Sequence, residues 1–345
     1  MNAFSTSTIP TIDNLDISSL ERGSVHRFWV TLGENGLGRP IVVPVLVAHG
    51  RREGPVVGVT AALHGNELNG IPTIHRLFQT LDPDEIKGSV VGVPVVNSPG
   101  YLLNQREFND DSDLNRRFPG RAGGNTGQVY AHRFLHRIAT RFEYLIDLHT
   151  ASFGRVNSLY VRADMTNKVT ATMARLVNPH IIVHNKGGDG TLRSAAEDHG
   201  IHAITIEIGD PQLFQQSLIR SSRKGILAVL DHLDVFDDEV EHTFEPAIEC
   251  VSSFWIYADH GGILTVQPPL GKRIERGSQI ATLTNLFGDV ICSYTAPEDG
   301  VVIGKSTNPV AQTGARILHL GRIGQIDGTS RREEADREEA NKQES

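Results

Sequence analysis

The apolar residues of this chain fall into short, β-branched runs separated by amphipathic stretches. The runs predict strands at HRFWVTL, PIVVPVLVA, VVGVTAAL, SVVGVPVV, EYLIDL and AITIEI. Between these runs, the apolar side chains of residues 70–78, 126–142, 165–176 and 218–233 recur with the period of a helix. Strands that alternate with helices are typical of a mainly parallel or mixed α/β sheet flanked by helices.

The pattern changes near residue 241, after which short strands with frequent Gly and Pro replace the helical period. Residues 262–277 and 300–314 carry two similar phrases, each a strand, a turn and a second strand closed by Gly. This repeat resembles the one in biotinyl/lipoyl-type β domains, which modify a lysine in the hairpin between the repeats. The corresponding residues 284–289 contain no lysine, so we expect no covalent cofactor and a structural or access-controlling role.

These patterns divide the chain into four parts. The charged end contains few large apolar side chains, so we expect it to be a disordered tail or a frayed helix. The predicted parts are an irregular lead-in at 1–24, an α/β domain at 25–240, a small all-β domain at 241–324 and the tail at 325–345.

Composition narrows the class of protein. The 345 residues are 39% hydrophobic and 21% charged, with a net charge of −8, which is typical of a globular protein and argues against nucleic acid as a partner. We find no secretion signal and no run of about 20 apolar residues that would span a membrane. Cys250 and Cys292 are too few for a disulfide framework, and reduced thiols favour a cytoplasmic location.

The candidate chemistry begins where the run VVGVTAAL ends in His64-Gly65-Asn66-Glu67, just before a helical pattern. Ligands bind beyond the carboxyl ends of strands in open α/β sheets, and residues i and i+3 at a helix start share a face. Catalytic zinc takes three nitrogen or oxygen ligands from the protein. We therefore predict that His64 and Glu67 are zinc ligands, although the spacing also suits a capped helix start with solvated side chains.

A third ligand is predicted at the end of the run EYLIDL. Asp147 and His149 lie on one face of that strand because strand side chains alternate. We predict His149 as the third ligand and Asp147 as the group that orients a ligand imidazole. A lone histidine at a strand end is otherwise more often a structural residue, and the prediction depends on the similar strand end at His64.

Glu207 is a carboxylate within the otherwise apolar strand AITIEI. Burial of an unpaired carboxylate costs several kcal/mol unless the group is protonated. We predict that Glu207 is a general base, and later a general acid, that acts on a water activated by the metal. The alternative is a structural ion pair with an arginine.

A long polar loop carries Arg106, Asn115, Arg116 and Arg117. Arginine suits bidentate recognition of carboxylates and stabilisation of an oxyanion. The neighbouring run of acidic residues at 110–113 also permits a solvated loop whose charges balance. Arg193, after a Gly-rich loop, is either another anion clamp or a surface residue.

The motifs HGNELNG, REFNDDSDLNRRFPG, DLHT and IEIGDPQ, in this order, resemble the succinylglutamate desuccinylase/aspartoacylase family. The resemblance covers roughly residues 40–235, and nearly the whole chain with the β domain. It implies a zinc-carboxypeptidase-like fold for the α/β domain and hydrolysis of the amide bond of an N-acyl amino acid or similar small molecule. That bond is a carbon–nitrogen bond other than a peptide bond.

The resemblance also assigns roles to individual residues. It implies one zinc ion per chain on His64, Glu67 and His149, with Glu207 as acid/base and Arg106 at the oxyanion. It implies contacts with the substrate carboxylate from three further residues, namely Asn115, Arg116 and Arg193.

Two alternatives remain at this point. One is a zinc carboxypeptidase that acts on short peptides, and the other is a non-catalytic module that binds a carboxylate and signals to a partner. A homo-oligomer is compatible with the sequence. We interpret His132 and His136, four residues apart on a predicted helix, as surface residues.

Overall fold

The computed structural model describes residues 9–187, 190–236, 245–324 and 326. The α-helices in these ranges are α1 Gly70–Phe78, α2 Ser98–Leu102, α3 Thr126–Arg137, α4 Lys168–Leu176, α5 Leu192–Asp198 and α6 Gln216–His232, with short 3-10 helices at Ile17–Ser19, Leu114–Arg116 and Ala139–Arg141. The first ten strands are β1 Thr11–Ile12, β2 Ser24–Glu34, β3 Pro40–His49, β4 Arg52–Ala61, β5 Lys87–Val93, β6 Tyr144–His149, β7 Arg155–Asn157, β8 Leu159–Ala163, β9 Ile181–His184 and β10 His202–Ile208. The remaining strands are β11 Ile248–Tyr257, β12 Gly262–Val266, β13 Arg273–Ile274, β14 Gln279–Thr284, β15 Val290–Thr295, β16 Gly300–Ser306, β17 Val310–Ala311 and β18 Arg316–Ile323.

The predicted mixed α/β sheet is confirmed. Strands of the α/β region and of the C-terminal region form one 14-stranded sheet, in which β5, β4, β6, β10 and β8 are successive neighbours. The pairs β5–β4, β4–β6 and β6–β10 are parallel, whereas β10 and β8 are antiparallel. The carboxyl ends of β4, β6 and β10 therefore lie side by side at one edge of the sheet.

Helices cover both faces of this sheet, which explains why its central strands are continuous apolar runs. One core contains apolar side chains from α1, α4 and α6, including Ile74, Met173 and Val229. A second core contains residues of α3 and α5, such as Phe134 and Ala195. Each large apolar side chain that becomes fully buried contributes about 1.5–3 kcal/mol, so the two cores hold the central strands in place.

The C-terminal region joins the main sheet and also forms a second sheet. β11 pairs in parallel with β9 and antiparallel with β18, so the large sheet continues past the predicted boundary near residue 241, which itself lies outside the described residues. A separate four-stranded sheet consists of β15, β14, β12 and β17. The C-terminal region thus has its own β structure and a backbone hydrogen-bonded connection to the α/β sheet.

The predicted lead-in packs against the rest of the chain in its described part. β1 pairs with β2, and Leu15 is fully buried. The predicted tail is outside the described residues apart from residue 326. No helix within the described ranges is long and apolar enough to cross a membrane.

Gly65 marks a close approach between the turn after β4 and helix α2. A Cβ atom at Gly65 would lie 2.1 Å from the carbonyl carbon of Gly100 and 2.2 Å from the amide nitrogen of Tyr101. Both contacts are with backbone atoms, so a side chain at position 65 could be accommodated only if α2 or the turn moved.

We predict that Gly65→Ala destabilises the protein, because the added methyl group must displace backbone. A cost of about 1–3 kcal/mol is expected for overpacking of this kind, and it is measured as a lower midpoint of thermal unfolding. Gly36→Ala in the β2–β3 turn is the matched control, since a Cβ there meets nothing within 4 Å. Equal midpoints for the two variants would contradict the prediction.

Candidate active site and metal cluster

Three buried side chains at the edge of the sheet form a cluster that can hold a metal ion. His64 Nδ1 lies 2.9 Å from Glu67 Oε1, and His149 Nδ1 lies 2.9 Å from Glu67 Oε2. The candidate ligand atoms of all three residues lie within 4.8 Å of one another. Residues 82 positions apart in sequence therefore converge on one point, as the strand-end argument predicts.

His64 and Glu67 lie in a turn that precedes helix α1. The helix spans Gly70–Phe78, as the periodicity predicts, and the Glu67 N–H donates to the His64 carbonyl at 3.1 Å. The turn still places the two side chains together, because its ends are close in space.

The Nε2 atoms of His64 and His149 each contact a different aspartate. His149 Nε2 lies 2.8 Å from Asp147 Oδ2, and His64 Nε2 lies 3.1 Å from Asp113 Oδ1. Asp147 also accepts a hydrogen bond from the hydroxyl of Thr60 at 2.6 Å. Carboxylates in this position fix the tautomer and orientation of ligand histidines in metal sites, so both Nδ1 atoms remain directed at Glu67.

Electrostatic interactions favour the charged forms of Glu67 and His149. Burial alone would raise the pKa of Glu67, but His64 and His149 hold the pKa of this carboxyl well below its usual value. Burial would likewise lower the pKa of His149, whereas Asp147 and Glu67 raise it well above its usual value. Glu67 and His149 therefore stabilise each other's charged forms, and a divalent metal that binds here would take the place of the proton on His149. The nitrogen and oxygen atoms of the cluster are ligands of the kind that zinc accepts.

Glu207 lies on β10 directly beside His149, to which it is paired in the parallel register. Its Oε2 accepts a hydrogen bond from Asn157 Nδ2 at 3.2 Å, and Arg162 Nε lies 3.8 Å from Oε1. Burial raises the pKa of Glu207, and the charge of Arg162 opposes the rise. The net effect is a raised pKa, because burial outweighs the charge of Arg162.

Arg106 reaches the cluster from the long loop. Its Nη1 donates to Glu67 Oε1 at 3.0 Å and to Ser152 Oγ at 2.6 Å, while Nη2 donates to Asp113 Oδ2 at 2.9 Å. Burial opposes the charge of the guanidinium, but Glu67 and Asp113 raise the pKa of Arg106. This part of the loop is therefore packed against the cluster rather than solvated.

The other three predicted residues, Asn115, Arg116 and Arg193, line a cavity next to the cluster. Asn115 Oδ1 accepts a hydrogen bond from the Leu192 N–H at 2.9 Å, and Arg116 is exposed. Arg193 is buried, and it donates to Glu197 at 2.7 Å and to Asn185. Glu197 and Asn185 therefore fix the position of the Arg193 side chain in the cavity wall.

All the residues predicted to bind metal or substrate or to act in catalysis line one cavity of about 320 Å³. The residues predicted from sequence that line it are His64, Glu67, Arg106, Asn115, Arg116, His149, Arg193 and Glu207. His132 and His136 do not line it; their rings lie 4.2 Å apart on α3.

Sequence reasoning missed several residues of the cavity wall. Arg162 is a charged residue in a buried apolar strand, the same signal that singled out Glu207, so it could have been found. The C-terminal residues carry no motif and give no signal in the sequence. The main additions are Ser152, Asn157, Tyr160 and Arg162 from the α/β region and Ser253, Trp255, Arg316 and His319 from the C-terminal strands.

Two relatives with named activities align with much of this chain. An N-alpha-acetyl-L-2,4-diaminobutyric acid deacetylase from Halomonas elongata is 24% identical over 296 residues, which are 82% of this chain and 86% of the relative. A succinylglutamate desuccinylase from Pseudomonas paraeruginosa is 28% identical over 173 residues, which are 46% of this chain and 52% of that protein.

Solved structures with low sequence identity share the fold. The product-bound ectoine utilization protein EutE (DoeB) from Ruegeria pomeroyi superposes with a TM-score of 0.79 at 21% identity, over 88% of this chain and 97% of that one. A succinylglutamate desuccinylase/aspartoacylase from Rhodobacter sphaeroides gives a TM-score of 0.79 at 22% identity, over 90% and 98% of the two chains.

The family match includes the strand ends that form the site. Residues 53–233, more than half of the chain, match the succinylglutamate desuccinylase/aspartoacylase catalytic domain. These residues contain the His64–Glu67–His149 cluster, Arg106 and Glu207. The chain therefore belongs to the succinylglutamate desuccinylase/aspartoacylase family.

Proposed function

We propose that this protein is a zinc-dependent deacylase that hydrolyses the amide bond of an N-acyl amino acid or a similar small amide. The observation that carries the proposal is the buried His64–Glu67–His149 cluster with Glu207 on the neighbouring strand of the same cavity. The names of the two relatives, a deacetylase and a desuccinylase of acylated amino acids, support this class of substrate.

The donor set fits zinc. Two imidazole nitrogens and one carboxylate are the three protein ligands of many catalytic zinc sites. His64 Nδ1, Glu67 and His149 Nδ1 would hold one ion per chain. When it is bound, zinc polarises an acyl carbonyl and lowers the pKa of a water toward about 7.

We propose that Glu207 transfers a proton from the attacking water to the leaving amine. Its carboxylate takes a proton from the attacking water and later gives it to the nitrogen of the leaving amine. A pKa raised by burial suits a group that has to accept a proton and then release it. The hydrogen bond from Asn157 fixes Oε2, which restricts the carboxylate to one orientation.

We propose that the arginines stabilise negative charge on the substrate. Arg106, anchored by Glu67 and Asp113, stabilises the charge that develops on the acyl oxygen, an effect worth about 3–4 kcal/mol for one donor. Asn115, Arg116 and Arg193 bind the carboxylate of the amino acid. We also propose that residues 25–240 act as the hydrolase domain and that residues 241–324 close the cavity.

A carboxypeptidase that acts on short peptides would use the same cluster and acid/base, and only the substrate would differ. A non-catalytic carboxylate sensor is disfavoured by Glu207, because a second carboxylate beside an anionic ligand would weaken its binding. Assays with N-acetyl amino acids and with dipeptides as substrates distinguish the deacylase from the carboxypeptidase.

We predict about one zinc ion per chain after purification without chelator, because three buried donors converge. His149→Ala should reduce zinc to background, as measured by atomic emission on the purified protein. His132→Ala is the control, since His132 lies on α3 outside the cavity. Full zinc content in the His149 variant would show that the cluster does not bind the metal.

We predict that Glu207→Gln lowers kcat by about 100- to 10,000-fold, the range of general acid–base catalysis, because an amide cannot accept the proton. Zinc content should stay at the wild-type level. Glu249→Gln, which alters an ion pair with Arg175 outside the cavity, should leave kcat unchanged. Wild-type turnover by the zinc-loaded Glu207 variant would rule out the proposed mechanism.

We predict that Arg116→Gln raises KM for N-acyl amino acids about tenfold or more, because a charged hydrogen bond to the substrate carboxylate is worth roughly 1.5–3 kcal/mol. The adjacent residue, Arg117, does not line the cavity. Steady-state kinetics of Arg116→Gln and Arg117→Gln test the assignment. A KM that rises equally in both variants would indicate a general effect on the loop.

A further inference from the structure

A second cluster of potential metal ligands lies in the C-terminal region. It consists of Asp259 and His260, in the turn between β11 and β12, and Cys292 on β15. The cluster offers a carboxylate oxygen, an imidazole nitrogen and a thiol sulfur, and these three atoms lie within 4.8 Å of one another. Its residues do not line the cavity of the His64–Glu67–His149 cluster, so the two clusters are separate sites.

The backbone of the β11–β12 turn is held in place by the turn that precedes β18. The Ala258 N–H donates to the Ala315 carbonyl at 2.8 Å, and the Ala258 carbonyl accepts from the Gly314 N–H at 2.7 Å. The hydroxyl of Thr313 donates to the Asp259 carbonyl at 3.3 Å. The side chains of Asp259 and His260 therefore extend from an anchored backbone.

Tyr294 connects this turn to β15. Its hydroxyl donates to Asp259 Oδ1 at 2.6 Å and accepts from the Asp259 N–H at 3.3 Å. Cys292 and Tyr294 are two residues apart on β15, so their side chains lie on the same face, and both pack against the C-terminal core. Hydrogen-bonding partners of this kind orient the carboxylates that bind metals, and here the carboxylate is held beside the thiol.

The spacing of the cluster is close to that required around one metal ion. His260 Nδ1 lies 2.9 Å from Asp259 Oδ1, and bonds of about 2.0–2.3 Å to zinc place neighbouring ligand atoms about 3–4 Å apart. The side chains of His260 and Asp259 are 59% and 70% exposed, so they can rotate around an ion without disturbing the core. An exposed pair of this kind contributes little to stability by itself, and it does not account for the thiol beside it.

The mixture of ligand types favours zinc. Zinc binds thiolate sulfur, imidazole nitrogen and carboxylate oxygen, whereas calcium and magnesium take oxygen ligands. A zinc ion that binds here takes the place of the thiol proton of Cys292 and requires the neutral imidazole of His260. Three protein ligands leave the fourth tetrahedral position to water.

We propose that Asp259, His260 and Cys292 bind a second zinc ion, which joins β15 to the β11–β12 turn. β15 is the last strand of the four-stranded sheet, and its backbone partner within the described ranges is β14. The ion thus adds a cross-link to an edge strand. This inference does not depend on the deacylase function.

The two sites are expected to differ in affinity. Asp259 and His260 are exposed, whereas all three residues of the His64–Glu67–His149 cluster are buried. Water therefore competes more strongly for the second ion, which leaves when free zinc is removed and returns when zinc is added. The zinc that remains after purification is that of the buried cluster.

Cobalt(II) is a probe that distinguishes the two clusters, because the second one has a sulfur ligand and the first has none. A cobalt–thiolate bond gives a charge-transfer band in the near ultraviolet, which a site of two imidazoles and one carboxylate lacks. We expect this band when cobalt chloride is added to the reduced full chain that already holds one zinc ion, and we expect excess zinc to remove it. Absence of the band, or a band that zinc does not remove, overturns the proposal.

Substitution of the cysteines tests the origin of the band. Cys292→Ser should abolish it, because a hydroxyl replaces the thiolate. Cys250→Ala is the matched control, since Cys250 is the other cysteine of the chain and is buried outside the cluster. A band that persists in Cys292→Ser overturns the assignment.

Titration calorimetry with zinc chloride tests the other residues. Wild-type protein with one zinc ion should bind one further equivalent. His260→Ala should weaken this second binding by about 100-fold and Tyr294→Phe by about tenfold, since even the loss of an outer hydrogen-bonding partner costs about 10- to 100-fold in metal affinity. His232→Ala is the control, because His232 is exposed on α6 outside the cluster. Equal affinities of wild type and His260→Ala for the second equivalent overturn the proposal.

Hydrogen exchange measures the cross-link itself. The amides of β15 should exchange more slowly after zinc is added to the wild type, because the ion opposes local opening of the edge strand, and the rates in Cys292→Ser should not change. Rates that are equal with and without zinc in the wild type contradict the cross-link. None of these measurements uses a substrate, so failure of the deacylase proposal and failure of the second site are distinguishable.

Discussion

The buried carboxylate of Glu67 is the group on which the rest of the site depends. Glu67 is 2% exposed, and a carboxylate removed from water is strongly destabilising unless charges and hydrogen bonds replace its hydration. The replacements come from the turn after β4, the end of β6 and the long loop, through His64, His149 and Arg106. Because segments far apart in sequence satisfy one carboxylate, the cluster can form only when the central sheet and the loop are both folded.

A second layer of contacts extends this constraint to Asn115 and Arg193 on the other side of the cavity. Asp113 accepts hydrogen bonds from the Asn115 N–H and from Arg106, and it also contacts His64. The side chain of Asn115 in turn accepts from the first N–H of α5, the helix that carries Arg193. The long loop therefore connects the His64–Glu67–His149 cluster to Arg193 through hydrogen bonds, which explains why so polar a segment packs against the sheet.

The parts of the site that sequence could predict are those in which a polar residue breaks an apolar strand pattern. His149 and Glu207 were predicted because a polar residue is easily recognised within or at the end of an apolar run. In addition, parallel strands bring their carboxyl ends together. The helix predicted at residues 70–78 is α1, and the spacing of His64 and Glu67 just before it predicted their proximity but not the hydrogen bond between Glu67 N–H and the His64 carbonyl. Trp255 and His319 were not predicted, because their proximity depends on strand pairing across about sixty residues and, for Arg316, on a bulge that no local pattern encodes.

The continuity of the sheet explains how C-terminal residues come to line the cavity. β9 and β11 are hydrogen-bonded neighbours, so the cavity residues on β11 and β18 are held at a fixed distance from β8 and β10 by backbone pairing. Sites on strands hold side chains more rigidly than sites on loops. Tyr160 on β8 contacts His319 on β18 edge-on, with ring centres 6.2 Å apart, so the strand next to Glu207 and the C-terminal strands share an aromatic contact. The cavity is therefore lined on two sides by strands whose relative position is set by backbone hydrogen bonds.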